Sequence, residues 1–307
     1  MYDLVIIGGG PAGVGAGVYA ARKKMKTVLI TSSFGGQSIV SNDVQNWIGM
    51  KSMTGLELAK ILEEHLRNYQ SDLDIWDNDL VNKVEKVGNG FIVSTKNGKT
   101  AEAKTILICS GGSRRRLGVH GEDKLDGKGV AWCATCDAPL FGGKTVAVVG
   151  GGNSGLESAR DLNSYVDKLY LLNRSDKLRG DPVTQEKILA MPKINVIYNA
   201  VVQEIFGDKF VTGLKYKDVV TGEEKTLEVS GIFIEVGNVP NSAFIKDLVK
   251  TNDFGEIIVD AKTQQSSMTG IWAAGDVSDV KYKQNNISVG DAILAVLDIF
   301  DYLHRQR

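Results

Sequence analysis

The sequence predicts an α/β protein made of two Rossmann-like, three-layer dinucleotide-binding domains, the second inserted in the first. Two glycine-rich loops, at residues 8–13 and 150–155, each stand between an apolar strand-like run and a helix-like run. A loop in that position places a dinucleotide pyrophosphate on the N-terminus of the following helix. The 307 residues are enough for two domains with a core each.

The first loop follows a nearly all-apolar strand at residues 2–7. Small residues dominate the predicted helix from residue 11 to 24, and residues 27–30 return as a second strand. Strand, glycine motif, helix and strand thus come in the order of a dinucleotide-binding unit. The acid that normally holds the adenosine ribose about 20 residues later is missing, because Thr31 and Ser32 stand there. We expect other groups to hold this ribose.

The chain after this unit predicts further helices and strands. Residues 34–37 and 44–47 have the composition of surface loops, and an amphipathic helix is expected from about residue 55 to 68. Runs at 80–87, 90–96 and 100–108, joined by Asn-Gly turns, predict a small antiparallel layer packed on the first sheet. Later strand-like runs cover 210–217 and 226–236, and a final helix is expected from about 288 to 303.

Cys133 and Cys136 form a Cys-x-x-Cys pair, with Asp137 directly behind it. Such a pair can close a small disulfide ring, and one thiolate can attack a partner's disulfide while the other resolves the mixed disulfide. In a reducing cytosol the pair is catalytic, regulatory or metal-binding, and a metal is disfavoured because the three histidines are scattered. The third cysteine, Cys109, lies in an apolar run and is expected to be a buried, inert thiol.

The second loop opens another strand–loop–helix–strand unit, with strands at 145–149 and 169–172 and a helix to about residue 163. No acid follows its second strand, whereas Arg174 and Arg179 stand within reach of a 2′-phosphate. This pattern favours NADPH over NADH, and a solvated basic turn is the alternative interpretation. Glycine-containing crossings near 113–119 and 237–242 predict one domain at 1–114 and 243–307 and another at 115–242.

Composition excludes several functions. With 36 basic and 37 acidic residues the formal net charge is −1, which gives no electrostatic reason to expect nucleic acid as a partner. No apolar window reaches the length of a membrane span, and the first strand begins too near Met1 to leave room for a signal peptide. We therefore expect a cytoplasmic protein.

Taken together, these motifs make the whole chain resemble the low-molecular-weight thioredoxin reductases, and closely the flavoprotein portion of the alkyl hydroperoxide reductase F subunit. The resemblance implies FAD in the first domain, NAD(P)H in the second, and a homodimer. The FAD contacts it implies are Gly8, Gly10, Pro11, Ala12, Gly13, Gly35, Gly36, Gln37, Asn46, Gly275, Asp276, Lys283, Gln284 and Ile287. The NAD(P) contacts are Gly150, Gly152, Asn153, Ser154, Gly155, Arg174, Arg179 and Gly237.

The same resemblance implies that Cys136 faces the flavin, that Cys133 attacks the partner's disulfide, and that Asp137 shuttles the proton. The F subunit normally carries an extra N-terminal pair of thioredoxin-like folds, so we expect a separate protein to accept the electrons here. Two departures stand out. Ala138 replaces a glycine after the acid, and residues 173–175 match neither the His-Arg-Arg of NADPH users nor the Glu of NADH users.

The sequence therefore predicts a flavoenzyme that passes electrons from NADPH, or NADH, through FAD and the dithiol to a protein disulfide. The expected partner is a thioredoxin or a thioredoxin- or glutaredoxin-like protein. The alternatives are a reductase component of a peroxiredoxin system, a ferredoxin-fed relative, and a flavin-based redox sensor. The intact loop at 150–155 argues against the sensor, because a sensor has no need of its own reductant site.

Overall fold

The chain passes twice between two units, each built on its own sheet. A computed structural model describes residues 1–41 and 44–305. One unit consists of Met1–Ser113 and Val239–Arg307, and the other of Arg114–Asn238. We call them unit 1 and unit 2.

Unit 1 begins with a parallel strand–helix–strand arrangement and continues into antiparallel strands. Its helices start where local chemistry favours them: Pro11 stands in the first turn of α1, and Thr54 and Glu57 form a capping box at α2. In order, the elements are β1 (Tyr2–Gly9), α1 (Pro11–Arg22), β2 (Thr27–Phe34), a 3₁₀ helix (Gly36–Val40), α2 (Gly55–Arg67), β3 (Leu73–Trp76), β4 (Val81–Val87), β5 (Gly90–Thr95), β6 (Thr100–Ile108) and β7 (Gly112–Arg114).

Unit 2 carries a second parallel sheet and a smaller antiparallel one. In order, its elements are β8 (Val130–Ala131), α3 (Ala134–Asp137), a 3₁₀ helix (Ala138–Phe141), β9 (Thr145–Val149), α4 (Asn153–Asn163), β10 (Lys168–Leu172), α5 (Pro182–Leu189), β11 (Ile194–Ile197), β12 (Ala200–Gly207), β13 (Val211–Asp218), β14 (Glu224–Glu228) and β15 (Gly231–Ile234). The chain then forms β16 (Asn238–Pro240), β17 (Ile271–Ala273) and α6 (Asn285–Arg305).

The sheet of unit 1 has seven strands in the order β3-β2-β1-β6-β5-β4, with β17 also paired to β6. One face packs on α1, α2 and α6 through an apolar cluster that includes Leu4, Leu58 and Val296. The other face is covered by a second cluster that includes Val5, Phe91 and Ile245. The sheet is therefore buried on both faces, as its continuous apolar strands require.

The sheet of unit 2 has five strands in the order β11-β10-β9-β15-β8, and all of its pairings are parallel. Leu156 and Ile188 from α4 and α5 pack on one face. Val202 and Leu214 from the antiparallel sheet β12-β13-β14 pack on the other. Unit 2 thus has three layers: the helices α4 and α5, the parallel sheet and the antiparallel sheet. Because each unit packs helices on a sheet with parallel strands that is covered on both faces, the predicted fold class is confirmed.

Two of the predicted elements were wrong in detail. The antiparallel strands at 81–95 do not form a layer packed on the first sheet but extend it, because β5 pairs with the first half of β6 and leaves the second half to β17. The run at 226–236 is not one strand. It splits into β14 and β15, which belong to different sheets.

The final helix also differs from its prediction, since it begins at Asn285 rather than Ser288. The polar residues of its first turn have the composition of a loop, which explains the difference. In the part of the chain that the structure describes, no helix combines the length and the hydropathy of a bilayer-spanning segment.

Candidate redox and dinucleotide sites

The first glycine loop joins β1 to α1 with backbone geometry that side chains would not allow. Gly8 has a φ of 118°, and a Cβ atom there would collide with the carbonyl oxygen of Cys109. A Cβ atom on Gly13 would collide with the carbonyl oxygen of Gly8. No side chain caps the N-terminus of α1, whose N-cap residue is Gly10. The helix N-terminus is thus left to an anionic ligand.

A cavity of about 710 Å³ lies beside this loop, within unit 1. It collects residues that follow the carboxyl ends of the parallel strands, as the general rule for such sheets predicts. Eight of the predicted flavin contacts line it: Gly8, Gly10, Pro11, Ala12, Gly36, Gln37, Gly275 and Asp276. The open, glycine-walled cavity fits a dinucleotide, because side chains are missing where a pyrophosphate would approach the backbone.

The remaining predicted flavin contacts lie outside the cavity lining, and four of them surround the start of α6. Asn46 Nδ2 donates to Gln284 Oε1 at 3.2 Å. Lys283 Nζ forms an ion pair with Glu256 Oε1 at 2.9 Å, and Ile287 lies in the first turn of the helix. The last two are Gly13, which is buried in the first turn of α1, and Gly35, which precedes the 3₁₀ helix with a φ of 95°.

Sequence reasoning missed several polar residues of this cavity. Asn285 Nδ2 donates to Ser38 Oγ at 2.8 Å, and this pair joins the start of α6 to the 3₁₀ helix. Thr31 and Ser32, which stand where an acid is expected, line the cavity themselves. Their position at the carboxyl edge of β2 was a usable signal, since the carboxyl ends of neighbouring parallel strands meet at one edge.

The two cysteines of the Cys-x-x-Cys pair form a disulfide at the start of a one-turn helix. Their Cα atoms are 5.3 Å apart, and both residues are half-buried. Cys133 is the N-cap of α3, where its Sγ accepts the backbone N–H of Cys136 at 3.2 Å. Asp137 is half-buried on the same turn. The disulfide is therefore accessible, and its first sulfur accepts one backbone N–H at the start of a helical turn, which favours a thiolate.

Trp132, directly before the pair, is held in place by charged neighbours. Its indole N–H donates to Asp126 Oδ1 at 2.9 Å. The guanidinium groups of Arg114 and Arg116 lie 5.6 and 5.4 Å from its ring centroid. Arg116 also pairs with Asp126 at 2.8 Å, so the groups that contact the ring and the indole N–H of Trp132 are themselves linked.

The second glycine loop, between β9 and α4, repeats the first. Gly150 has a φ of 133°, and a Cβ atom on Gly155 would collide with the Gly150 carbonyl oxygen. The N-cap residue Gly152 again provides no capping side chain, and a Cβ atom there would meet nothing within 4 Å. Asn153 and Ser154 are exposed in the first turn of α4. This loop too is left open to an anionic ligand.

The segment after β10 shows what replaces the usual acid. Asn173 is buried and its Nδ2 donates to the carbonyl oxygens of Ser175 and Lys177 at 2.8 and 2.9 Å, which shapes the turn. Arg174 and Arg179 are both exposed. The backbone N–H of Arg179 donates to the Gly151 carbonyl oxygen at 2.8 Å. Arg179 is thus tied to the glycine loop.

Two other residues bear on these sites. Gly237 is exposed with a φ of 111°, and its carbonyl oxygen accepts the N–H of Arg115 at 3.0 Å. Burial raises the pKa of the Cys109 thiol far above its usual range, which makes it inert. Within residues 1–41 and 44–305, no three acidic, histidine or cysteine side chains gather as a metal ion would require.

Two glycine loops shaped for dinucleotides and an accessible disulfide define a class, the flavin- and nicotinamide-dependent disulfide oxidoreductases. A family model described as pyridine nucleotide-disulphide oxidoreductase matches residues 2–292. A Bacillus subtilis (strain 168) protein named NADH dehydrogenase is 41% identical over 304 residues, which cover 99% of this chain and 59% of that protein. The F subunit of alkyl hydroperoxide reductase from Staphylococcus aureus (strain MRSA252) is 40% identical, with the same coverage. The chain therefore spans about three fifths of the length of these relatives.

Solved structures of thioredoxin reductases are similar to this chain over nearly its whole length. Thioredoxin reductase from Streptococcus pyogenes MGAS5005 has a TM-score of 0.92 and 35% sequence identity, with 99% of both chains covered. Thioredoxin reductase from Giardia duodenalis has a TM-score of 0.92 and 31% identity, with the same coverage. The chain belongs to the pyridine nucleotide-disulphide oxidoreductase family, in the group that holds the low-molecular-weight thioredoxin reductases and the flavoprotein portion of the alkyl hydroperoxide reductase F subunit. Members of this family use FAD and NAD(P)H.

Proposed function

We propose that this oxidoreductase transfers electrons from NADPH, with NADH as the possible alternative donor, through FAD and Cys133–Cys136 to a protein disulfide. The observation that carries the proposal is the accessible disulfide at a helical turn in a chain with two open glycine loops. We assign residues 1–114 and 243–307 to FAD binding and residues 115–242 to NAD(P) binding. We further propose that the protein acts as a homodimer.

The FAD assignment follows from the cavity of unit 1. Backbone N–H groups at the start of α1 would face the pyrophosphate, and Asp276 would accept a hydroxyl hydrogen bond. Lys283 and the N-terminus of α6 would place positive charge near the ring end of the cofactor. Bound FAD would supply two-electron chemistry that connects a nicotinamide to sulfur. The chain itself binds, orients and exchanges disulfides.

The sulfur chemistry follows from Cys133 and Cys136. In the reduced pair the Cys133 thiolate attacks one sulfur of the partner's disulfide, which forms a mixed disulfide and releases the partner's other sulfur as a thiolate. The Cys136 thiolate then attacks Cys133 Sγ and closes the internal disulfide. The partner leaves as a dithiol, having gained two electrons and two protons. Asp137, half-buried on the same turn, would carry one of these protons.

The partner is the finer part of the proposal. Similarity to thioredoxin reductases over the full chain favours thioredoxin or a thioredoxin-like protein. A second candidate is the reductase component of a peroxiredoxin system, which the relatives named as F subunits of alkyl hydroperoxide reductase favour. Both partners present an exposed disulfide, so the same dithiol would serve either.

Anaerobic titration of the purified yellow protein tests the proposal. Stepwise addition of NADPH should bleach the flavin absorbance near 450 nm, and later addition of oxidised thioredoxin should restore the colour while thiols appear on the partner. A parallel series with NADH and with an oxidised peroxiredoxin resolves the donor and the partner. A protein that neither nucleotide bleaches would contradict the proposed electron path.

A further inference from the structure

Glu235 is a carboxyl group that has no task in the reaction described above. It follows β15 at the carboxyl edge of the five-stranded sheet, and its backbone N–H donates to the Val149 carbonyl oxygen at 2.8 Å. Its own carbonyl oxygen fills the space that a side chain on Gly150 would need. Glu235 therefore lies directly against the first glycine of the second loop.

Strand order indicates which half of a nucleotide would pass over Glu235. In a doubly wound sheet the pyrophosphate sits on the loop after the first strand, and the two halves of the ligand extend over the strands on either side. Here the first strand is β9, with β10 on one side and β15 on the other. Arg174 follows β10, on the side of the adenosine ribose. The nicotinamide half then extends toward β15 and Glu235.

The Glu235 side chain is half-buried, and charged or polar groups from two segments act on it. Burial is the main influence and raises the pKa of Glu235 to about 7. Ser158 Oγ on α4 donates to Oε1 at 2.6 Å and opposes the rise, as does Arg114. Glu157, the neighbour on α4, adds to the rise. The carboxyl group thus changes its charge in the neutral pH range.

We propose that Glu235 lies beside the nicotinamide ring and that its negative charge favours the oxidised ring over the reduced one, an inference that rests on the proposed function. The oxidised nicotinamide ring carries a positive charge and the reduced ring is neutral. In a partly buried site an opposite charge a few ångströms away matters more than in bulk water. Glu235 is thus a specificity residue that sets how tightly the spent nucleotide is held.

Linkage gives this inference a direct signature. If the oxidised nucleotide binds better to ionised Glu235, its binding must lower the pKa of Glu235 and release a proton. The reduced ring has no such preference. Below pH 7 the protonated carboxyl group discriminates little between the two forms, and above pH 7 the oxidised form gains affinity.

The test compares nucleotides that cannot react with the flavin-loaded protein. NADP⁺ and NAD⁺ supply the charged ring, and their 1,4,5,6-tetrahydro derivatives supply an uncharged ring that cannot donate hydride. We expect the affinity ratio of the charged to the uncharged form to rise roughly three- to tenfold between pH 6 and pH 8 in the wild type. In Glu235→Gln the ratio should stay at the wild-type pH 6 value at both pH values.

Three further variants provide a control and two expected shifts of the pH midpoint in opposite directions. Glu228→Gln removes the same charge from β14 and should behave as the wild type. Ser158→Ala removes a hydrogen bond that favours the ionised carboxylate, so the midpoint of the pH dependence should move up. Glu157→Gln removes a like charge, so the midpoint should move down. These two opposite shifts test the inference even if Glu235→Gln fails to fold.

A pH-dependent ratio that persists in Glu235→Gln, or midpoints that do not move in the other two variants, would overturn the inference. A wild-type protein that binds none of the four probes would instead contradict the proposed function. Flavin content and circular dichroism of each variant separate both results from misfolding.

Discussion

The two glycine loops share a backbone geometry and differ in their surroundings. Gly8 and Gly150 have φ values of 118° and 133°, and each is followed five residues later by a glycine that packs on its carbonyl oxygen. The residue that closes each loop from the neighbouring strand differs. In both units a backbone carbonyl oxygen closes the loop, but it belongs to Cys109, with its buried thiol, in unit 1 and to Glu235, with its half-buried carboxyl group, in unit 2.

The helices that follow the loops also differ in burial and polarity. In α1 nine of twelve residues are buried, whereas in α4 only five of eleven are. The position three residues after the last loop glycine is Ala16 in the first helix and Ser158 in the second. A mostly buried, apolar helix behind the loop suits a cofactor that is retained, and a more exposed, polar helix suits a nucleotide that exchanges in every turnover. Under the proposed assignment, one loop geometry serves two purposes through its neighbours.

The largest expected effect concerns the dithiol, which neither loop can replace. Cys133→Ser and Cys136→Ser should each lower reduction of a protein disulfide by at least roughly a thousandfold, because the thiol exchange needs both sulfurs. Flavin bleaching by the nucleotide should continue in both. Stopped-flow absorbance measures the second rate and thiol counting on the partner the first, with Thr135→Ala as the control on the same turn. Wild-type partner reduction in either serine variant would remove the dithiol from the proposed path.

The next largest effect sets the two loops directly against each other. Gly13→Ala and Gly155→Ala introduce the same collision, with the carbonyl oxygen of Gly8 or Gly150. Overpacking of this kind costs about 1–3 kcal/mol, which corresponds to roughly 10- to 100-fold in ligand affinity. We expect Gly13→Ala to lose flavin, and Gly155→Ala to stay yellow but to bind nucleotide more weakly.

Absorbance per protein and nucleotide titration measure these two losses. Gly152→Ala serves as the folding control, since a Cβ atom there meets nothing within 4 Å. Replacing glycine by alanine at this N-cap position should lower the free energy of unfolding by at most about 1 kcal/mol. Flavin loss in Gly155→Ala with full flavin in Gly13→Ala would reverse the assignment of the loops.

An effect of similar size tests the role of the two arginines near the second loop. Each charge-assisted contact to a 2′-phosphate should contribute about 1.5–3 kcal/mol, so Arg174→Ala or Arg179→Ala should lower kcat/KM for NADPH roughly 10- to 100-fold. The value for NADH should change little, and Lys177→Ala is the control within the same exposed turn. Equal losses for both nucleotides, or a wild-type preference for NADH, would contradict the NADPH proposal.

Some of these features can be predicted from short sequence patterns, and others cannot. The loops, the dithiol and the two parallel sheets follow from short patterns, because glycine spacing and apolar runs report on neighbouring residues. The contact between Ser158 and Glu235 joins residues 77 positions apart and depends on β15 being inserted beside β9. No periodicity encodes that order. For the same reason the run at 226–236 could not be divided between two sheets.

Asn173 illustrates a second limit. The sequence showed that an acid was missing after β10, but not that the amide would be buried and used to shape the turn. A hydrogen-bond partner within four residues depends on the turn conformation rather than on residue type. Asn46 and Gln284 are similar, since the family resemblance implied only that each contacts FAD, and their hydrogen bond to each other joins segments 238 residues apart.

The smallest expected effect concerns stability and the two residues that close the loops. Glu235 has a pKa of about 7 in the folded protein, above its ordinary value. Stability from such a group is fully present at low pH and is lost as the pH rises through 7, because the unfolded chain accepts the charge more easily. The Tm of Glu235→Gln should therefore exceed the wild-type Tm at pH 8.5. At pH 5.5 the two Tm values should be closer together.

A half-buried carboxyl group should account for roughly 1–2 kcal/mol of this difference, or a few degrees in Tm for a protein of this size. Cys109→Ala provides the contrast in the first loop. Its thiol stays protonated throughout this pH range, because burial raises its pKa, so the cost of the lost packing should be the same at both pH values. Thermal unfolding followed by circular dichroism at pH 5.5 and 8.5 measures both. A pH-independent Tm difference for Glu235→Gln would mean that the Glu235 carboxyl group is solvated like an ordinary surface acid. The chemical difference between the two loops would then make no pH-dependent contribution to the free energy of unfolding.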